Sequence, residues 1–183
     1  MLIRHAEAAR DGEACASIYA PSVLEGAVSF EERVPTGEEL AARIERISRT
    51  HPWLVADEHE QTIGYAYASP HRERAAYRWA ADVTVYVAAG QRARGVGRAL
   101  YTALFDLLVR QGIYVACAGI TLPNEASVAL HESLGFRHVG VYRNIGWKAQ
   151  GWRDVGWWQL QLIEPEPGER PPEPGEPARL DQL

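Results

Sequence analysis

Trp79-Ala80-Ala81-Asp82-Val83-Thr84-Val85-Tyr86-Val87, followed closely by Gln91-Arg92-Ala93-Arg94-Gly95-Val96-Gly97-Arg98-Ala99-Leu100, is the stretch whose reading decides the fold. The first part alternates as a strand does. Val83, Val85 and Val87 share one face, and Asp82, Thr84 and Tyr86 share the other. The second part is a glycine turn entering a helix, with strong helix formers from Ala99 to Val109 and Leu100, Leu104, Leu107 and Leu108 on one side. A strand that feeds a glycine turn at a helix start suits an anion. The first amides of the helix have no carbonyl partner, and the helix dipole adds partial positive charge.

Gly95-Val96-Gly97 does not complete a dinucleotide fingerprint, because position 100 is Leu and no acid stands about twenty residues on. Arg92-x-x-Gly95-x-Gly97 instead resembles the acetyl-CoA loop of the GCN5-related N-acetyltransferases. Three arginines, Arg92, Arg94 and Arg98, suit a pyrophosphate. Further stretches are similar to the phosphinothricin N-acetyltransferase branch: Pro52-Trp53-Leu54-Val55-Ala56, Gly64-Tyr65-Ala66-Tyr67-Ala68, Leu122-Pro123-Asn124, Leu130-His131-Glu132 and Gly151-Trp152-Arg153-Asp154-Val155-Gly156. They run from about Ile3 to Leu162. The resemblance implies an α/β (α+β) fold with a mixed, twisted sheet of six or seven strands flanked by helices. It also implies that two central parallel strands part to admit the pantetheine arm.

The chain has 183 residues, enough for one domain with a sizeable core. The expected division is an acetyltransferase domain over 1–163 and a flexible Pro/Glu-rich tail over 164–183. The tail holds six of the eleven prolines, with six acids against two arginines. Its net charge of −4 leaves −1 of the total −5 for the rest, so the body has no basic surplus for nucleic acid. A segment of this composition buries too little apolar area to offset its ordering entropy. No apolar run is long enough for a bilayer, and Met1-Leu2-Ile3-Arg4 has no signal-peptide pattern. Cys15 and Cys117 form no disulfide framework or zinc spacing, so a cytoplasmic location is expected.

Outward from the centre, the sequence predicts a short first strand at Leu2-Ile3-Arg4-His5 and a helix capped by Asp11 that Pro21 ends or kinks. Glu25 to Arg33 is a connection or short strand. Thr36-Gly37-Glu38-Glu39 is a capping box for a second helix carrying Leu40, Ile44 and Ile47. Trp53–Asp57 and Thr62–Ser69 form a hairpin, and Pro70–Arg78 is a loop. Val115–Ile120 reads as a buried strand parallel to the central one. Asn124 caps a helix to about Leu134, and strands at Phe136–Tyr142 and Val155–Ile163 close the chain.

Acetyl transfer to an amine requires loss of the ammonium proton, polarisation of the thioester carbonyl and protonation of the leaving thiolate. Asp82 is the candidate base or amine-positioning group, although relatives of this type usually carry Glu there. One methylene less draws the carboxylate back, so it acts through a water or only holds the ammonium. His131 is the candidate acid or base. A lone helical His, or a carboxylate at a strand end, is also compatible with a purely structural part. By resemblance, Val85, Val87, Arg92, Arg94, Gly95, Val96, Gly97, Arg98, Asn124 and Ser127 contact acetyl-CoA. Arg72, Arg74 and Tyr77 match substrate positions of the branch, where a guanidinium clamps a carboxylate or phosphinate, unless this is an ordinary charged loop. Thr84 is a further pocket candidate, and Phe30 and Tyr86 either wall the pocket or belong to the core.

Without HExxH, a Cys cluster or G-x-S-x-G, neither a metal nor a serine nucleophile is expected. The expected function is acetylation of the α-amine of a small amino acid analogue such as phosphinothricin, methionine sulfoximine or methionine sulfone. The alternatives are another amine (polyamine, aminoglycoside, protein N-terminus) or a non-catalytic CoA-binding module. A homodimer is implied by the branch, with Trp152, Trp157 and Trp158 as interface or core.

Overall fold

The computed structural model describes residues 1–165, 169 and 172–182. The chain runs β1 (Leu2–His5), α1 (Ala8–Leu24), α2 (Gly37–Ile47), β2 (Trp53–Glu58), β3 (Gln61–Pro70), β4 (Ala80–Val87), α3 (Val96–Gln111), β5 (Val115–Leu122), α4 (Glu125–Ser133), β6 (Arg137–Lys148) and β7 (Gly151–Gln161). The seven strands make one sheet in the order β1-β2-β3-β4-β5-β7-β6. Every pairing is antiparallel except β4 with β5. The mixed sheet of six or seven strands that the resemblance implies is therefore present, with seven.

Alternation on the inner strands divides the core in two. Leu54, Ala56, Ala66, Ala68, Ala81 and Val83 face α3, which covers them with Leu100, Leu104 and Leu108. Trp53, Val55 and Tyr65 face the other way, against α1 and α2. The small side chains on the first face let α3 lie close to the sheet. Gly64 is the tightest point: a Cβ there would stand 3.1 Å from both the Tyr86 carbonyl oxygen and Val96 Cγ1. Gly95 has φ +81°, a left-handed turn that aims the chain into α3 at little conformational cost.

Several local expectations are corrected by tertiary packing. Asp11 does not cap α1, since the helix begins at Ala8 with Glu7 before it. The Asp11 carboxylate lies inside the first turn and accepts from the Glu7 amide at 2.7 Å. Pro21 does not end α1, which continues to Leu24, because Val23 is buried in the core and secures the last turn. Glu25 to Arg33 contains no strand. The last hairpin is longer than expected, with β6 running to Lys148 and β7 starting at Gly151. Ala149 and Gln150 at its turn have φ 50° and 58°, the handedness of a tight two-residue connection between twisted strands.

Part of the tail expected to be flexible, at 166–168, 170, 171 and 183, lies outside the described residues. Within the described part, the Trp79 Nε1–H donates to the Gly175 carbonyl at 2.7 Å, and the Ala178 amide donates to the Gln111 carbonyl at 2.8 Å. Arg78 pairs with Glu176.

A charge network ties β1, α1 and β2. Arg4 donates to both Asp11 oxygens at 2.7 Å and to Asp57 Oδ2 at 2.8 Å. Burial pushes the Asp11 carboxyl up, but Arg4 and the Glu7 amide outweigh it and hold the group below its ordinary range. Removing Asp11 takes away both of its bonds to Arg4 and leaves that largely buried guanidinium with Asp57 alone. Asp11→Ala is expected to destabilise the fold by about 3 kcal/mol at neutral pH, read by urea unfolding. A depressed carboxyl stabilises above its unfolded pKa of about 3.9, and that contribution is lost as pH falls through the lower folded value. The gap between parent and Asp11→Ala should therefore narrow below about pH 4.

Candidate active site

The site begins where β4 and β5 separate. Ala80, Ala81 and Asp82 pair with Val115, Ala116 and Cys117, and the ladder stops there although β4 runs to Val87 and β5 to Leu122. Each strand keeps its antiparallel partner on the outer side. The inner edges of Val83–Val87 and Ala118–Leu122 thus carry backbone groups with no strand partner. Such groups inside a sheet call for a hydrogen-bonding ligand. A cavity of about 100 Å³ fills the gap, lined by Thr84, Val85, Tyr86, Asn124, Ser127 and His131 among others. An amide-bearing pantetheine arm fits this slot as an added strand would.

At the open end of the gap stands the start of α3. Its first helical hydrogen bond is from the Ala99 amide to the Gly95 carbonyl at 3.0 Å, so the amides of Val96, Gly97 and Arg98 stay outside the ladder. The three arginines are not equivalent. Arg92 is exposed at the turn. Arg94 is held by Glu58 at 3.0 and 3.2 Å, and Arg98 donates to Ser133 Oγ at 2.7 Å. The turn therefore offers backbone amides first and Arg92 as the available cation, consistent with a diphosphate site.

His131 is buried on α4, whose start is capped as expected by Asn124 accepting from the Ser127 amide. His131 Nδ1 lies 2.7 Å from the Ser127 carbonyl, which can only accept, so Nδ1 carries the proton. Nε2 then accepts from Tyr101 Oη at 3.0 Å. Burial lowers the pKa of the ring, with the Ser127 carbonyl opposing. Tyr101 was missed by the sequence reading, which treated this part of α3 as a leucine face. Its signal was position: Tyr101 lies one turn beyond Gly97 and so shares its face.

On the opposite side of β4, a cavity of about 570 Å³ opens between the sheet and α2. Its aromatic wall includes Tyr19, Trp53, Tyr65, Tyr67 and Tyr86, and Arg43, Arg46 and Arg72 supply charge. Arg43 is already paired with Glu31 at 2.6 and 3.0 Å. Among the described residues Arg72 forms no salt bridge; it bonds the His71 carbonyl and lies 5.6 Å over Trp157. Tyr86 lines both this cavity and the strand gap, so the two meet at the polar face of β4.

Asp82 sits at the last rung of the parallel ladder and bonds His71 Nδ1 at 2.6 Å. Burial pushes its carboxyl up, against the pull of His71 and Arg72. His71 was passed over because a loop histidine without metal spacing carries no signal. Thr84 lines the strand gap.

The remaining substrate candidates are placed apart. Arg74 borders a second cavity of about 580 Å³, which shares Arg72 and Glu73 with the first and is also lined by Arg49, Arg78 and tail residues Glu176 to Arg179. Tyr77 is exposed but its ring meets His71 edge-on at 5.9 Å. Phe30 packs against Gly146 at the β6–β7 hairpin. Trp158 is core, Trp152 is 61% exposed, and Trp157 covers His71 and Arg72.

This arrangement of split sheet, amide-presenting turn and two cavities meeting at β4 defines an acetyltransferase. Residues 3–157 match the acetyltransferase (GNAT) domain, and the chain belongs to that family, in its phosphinothricin N-acetyltransferase branch. It is 40% identical over 165 residues to the phosphinothricin N-acetyltransferase of Streptomyces viridochromogenes, covering 90% of each chain. It is 36% identical to the L-methionine sulfoximine/L-methionine sulfone acetyltransferase of Salmonella typhimurium, over 90% of this chain and 96% of that one. The crystal structure of a phosphinothricin acetyltransferase from Sinorhizobium meliloti in complex with AcCoA superposes with a TM-score of 0.84 at 35% identity, covering 92% and 91% of the two chains.

Gly97 faces Leu130, Val87 and Val85, with 3.3 Å from a built Cβ to Leu130 Cδ2, the end of a flexible side chain. Gly97→Asp should leave the fold intact, since an acid at a helix start suits the dipole. It should also abolish CoA binding in a calorimetric titration, by setting an anion where phosphate must lie.

Proposed function

We propose that this chain transfers the acetyl group of acetyl-CoA to the α-amine of a small anionic amino acid analogue of the phosphinothricin, methionine sulfoximine or methionine sulfone type. The carrying observation is the meeting, at Tyr86, of an amide-lined strand gap and a cavity whose wall carries Arg43, Arg46 and Arg72 against Glu31 and Glu73. The names of the relatives support the same acceptors. Acetyl-CoA, when bound, supplies an activated thioester, and the residues of this chain do the rest.

The amides at the start of α3 and Arg92 hold the diphosphate, and the open edges of β4 and β5 orient the pantetheine amides. Arg72, with Arg46 across the cavity, holds the acceptor anion, which points its amine toward β4. The Asp82 side of β4 takes the ammonium proton. His131 and Tyr101 protonate the leaving sulfur from beneath the gap. The reaction so written needs no metal.

A homodimer accords with Trp147 and Trp152, each 61% exposed, and Tyr142 and Ile145, also exposed, all on the β6–β7 hairpin at the sheet edge. Among the described residues no helix is long and apolar enough to cross a membrane. With both cysteines free and buried, a cytoplasmic protein without nucleic-acid or membrane partners is the simplest reading.

Release of free CoA over a panel of amines tests the function directly. Phosphinothricin and the two methionine derivatives should be turned over. Preference for a polyamine, an aminoglycoside or a peptide N-terminus would refute the acceptor class.

Placement of the arginines sharpens this. Losing a charge-assisted contact costs about 1.5–3 kcal/mol, or roughly 10- to 150-fold in KM. Arg72→Ala should show that rise with an anionic acceptor and little change with an amine lacking a carboxylate. Arg74→Ala should be milder with both. Equal effects of the two substitutions would place both guanidinia on the anion.

A further inference from the structure

The acceptor cavity meets His71 before it meets Asp82. His71 lines the cavity wall, whereas Asp82 is not among its lining residues. The His71 ring is fixed on several sides. Asp82 Oδ1 lies 2.6 Å from Nδ1, Tyr77 meets the ring edge-on at 5.9 Å and Trp157 at 6.0 Å, and the backbone amide is bonded to the Ala80 carbonyl. With its charge intact, Asp82 can only accept, so Nδ1 carries the proton. Nε2 is left with a lone pair and has no hydrogen-bond partner among the described residues.

We infer that His71 is the catalytic base of the transfer: its Nε2 takes the acceptor's ammonium proton, while Asp82 holds Nδ1–H and offsets the charge of the imidazolium that forms. This rests on the acetyl-transfer reading above. The ammonium N–H bond breaks and its proton passes to Nε2. The freed nitrogen lone pair forms the new C–N bond at the thioester carbonyl, the C–S bond breaks, and the sulfur leaves with that electron pair. The second amine proton, which the amide does not keep, is given up as the adduct collapses and balances the proton the sulfur takes up. Neither oxidant nor reductant is needed.

The division of labour has a physical basis. A buried carboxylate orients an imidazole in one tautomer and stabilises its cation without itself becoming protonated. The other charged and titratable groups near the ring are Arg72, Glu73, Tyr77 and Cys117. Arg72 is drawn over Trp157 rather than stacked on His71. The Cys117 sulfur lies within 4.8 Å of the His71 and Asp82 donor atoms. Burial and the Asp82 charge push its thiol up to about 11, so it competes poorly as a nucleophile. His131 is on the other side of β4, with both nitrogens engaged by Ser127 and Tyr101.

His71→Asn separates the roles, because the Asn amide can still donate to Asp82 from the place of Nδ1 but has nothing at Nε2. Expected are a fall in kcat of about 10²–10⁴-fold at neutral pH, loss of the acid limb of kcat/KM, and unchanged CoA affinity by calorimetry. If His71→Asn does not fold, His71→Gln tests the base from the other side: its amide reaches the place of Nε2 but has no basic lone pair there, so the same fall in kcat is expected. Nitrogen-15 NMR of the unliganded parent provides a readout independent of turnover. His71 should be protonated at Nδ1, and its ionisation should coincide with the acid limb of kcat/KM. A folded variant with the parent's kcat and acid limb, or a His71 protonated at Nε2, overturns the inference and leaves Asp82 as the direct base. A parent that acetylates no amine in the panel refutes the acetyl-transfer reading and this inference together. An active parent with an unimpaired variant refutes only the inference.

Discussion

Between Ala80–Asp82 and Val115–Cys117 two parallel strands share a ladder, and past Asp82 they part. Much of what the site does depends on that short register. The shared rungs fix the strands as neighbours, and α3 packs across β4 through Val83, Leu100 and Leu104. The separated ends leave hydrogen-bonding edges that a closed sheet would have used up. Opening a sheet in its middle costs hydrogen bonds on both strands, and the outer pairings with β3 and β7 confine that loss to one edge of each. The last shared rung is also where Asp82 stands. The register therefore places the carboxylate at the mouth of the gap, with Tyr86 farther along between the two cavities.

The two sides of β4 carry different electrostatics. On the α3–α4 side, helix-start amides and neutral hydrogen-bonding groups face the gap, and His131 is tied to Ser127 and Tyr101. On the α1–α2 side, aromatic rings surround arginines, of which Arg43 is neutralised by Glu31 and Arg72 is not. A polyanionic carrier and a small anionic acceptor can thus approach from opposite sides and meet at Tyr86 without sharing one pool of positive charge. The aromatic wall, with Trp53 stacked on Tyr67 at 4.2 Å, is rigid enough to keep that division.

The Pro70–Arg78 loop shows how far spacing can mislead. Arg72 and Arg74 look equivalent in sequence, two residues apart around Glu73. In the fold Arg72 lines both the aromatic cavity and the cavity next to the described tail, while Arg74 lines the second and not the first. The same loop starts with His71, whose partner is eleven residues away on the neighbouring strand. Local chemistry alone could not distinguish these positions.

The alternating Val83-Thr84-Val85-Tyr86-Val87, the glycine turn, the leucines of α3, and the caps at Thr36 and Asn124 were all legible in the sequence. Period, conformational freedom at glycine and side-chain capping act over a few residues, so they read directly. They were enough for most of the elements and for the glycine turn at the start of α3, while the mixed sheet followed from the family resemblance. Long-range contacts decided the rest. Asp11 serves Arg4, which also holds Asp57, rather than a helix cap, Arg94 and Arg98 are held by Glu58 and Ser133, Tyr101 lies under His131, and His71 stands beside Asp82. Each joins residues from different elements, or from separate turns of the chain, at distances of 2.6 to 3.0 Å. No local rule carries that information, because it exists only once packing has chosen which faces meet.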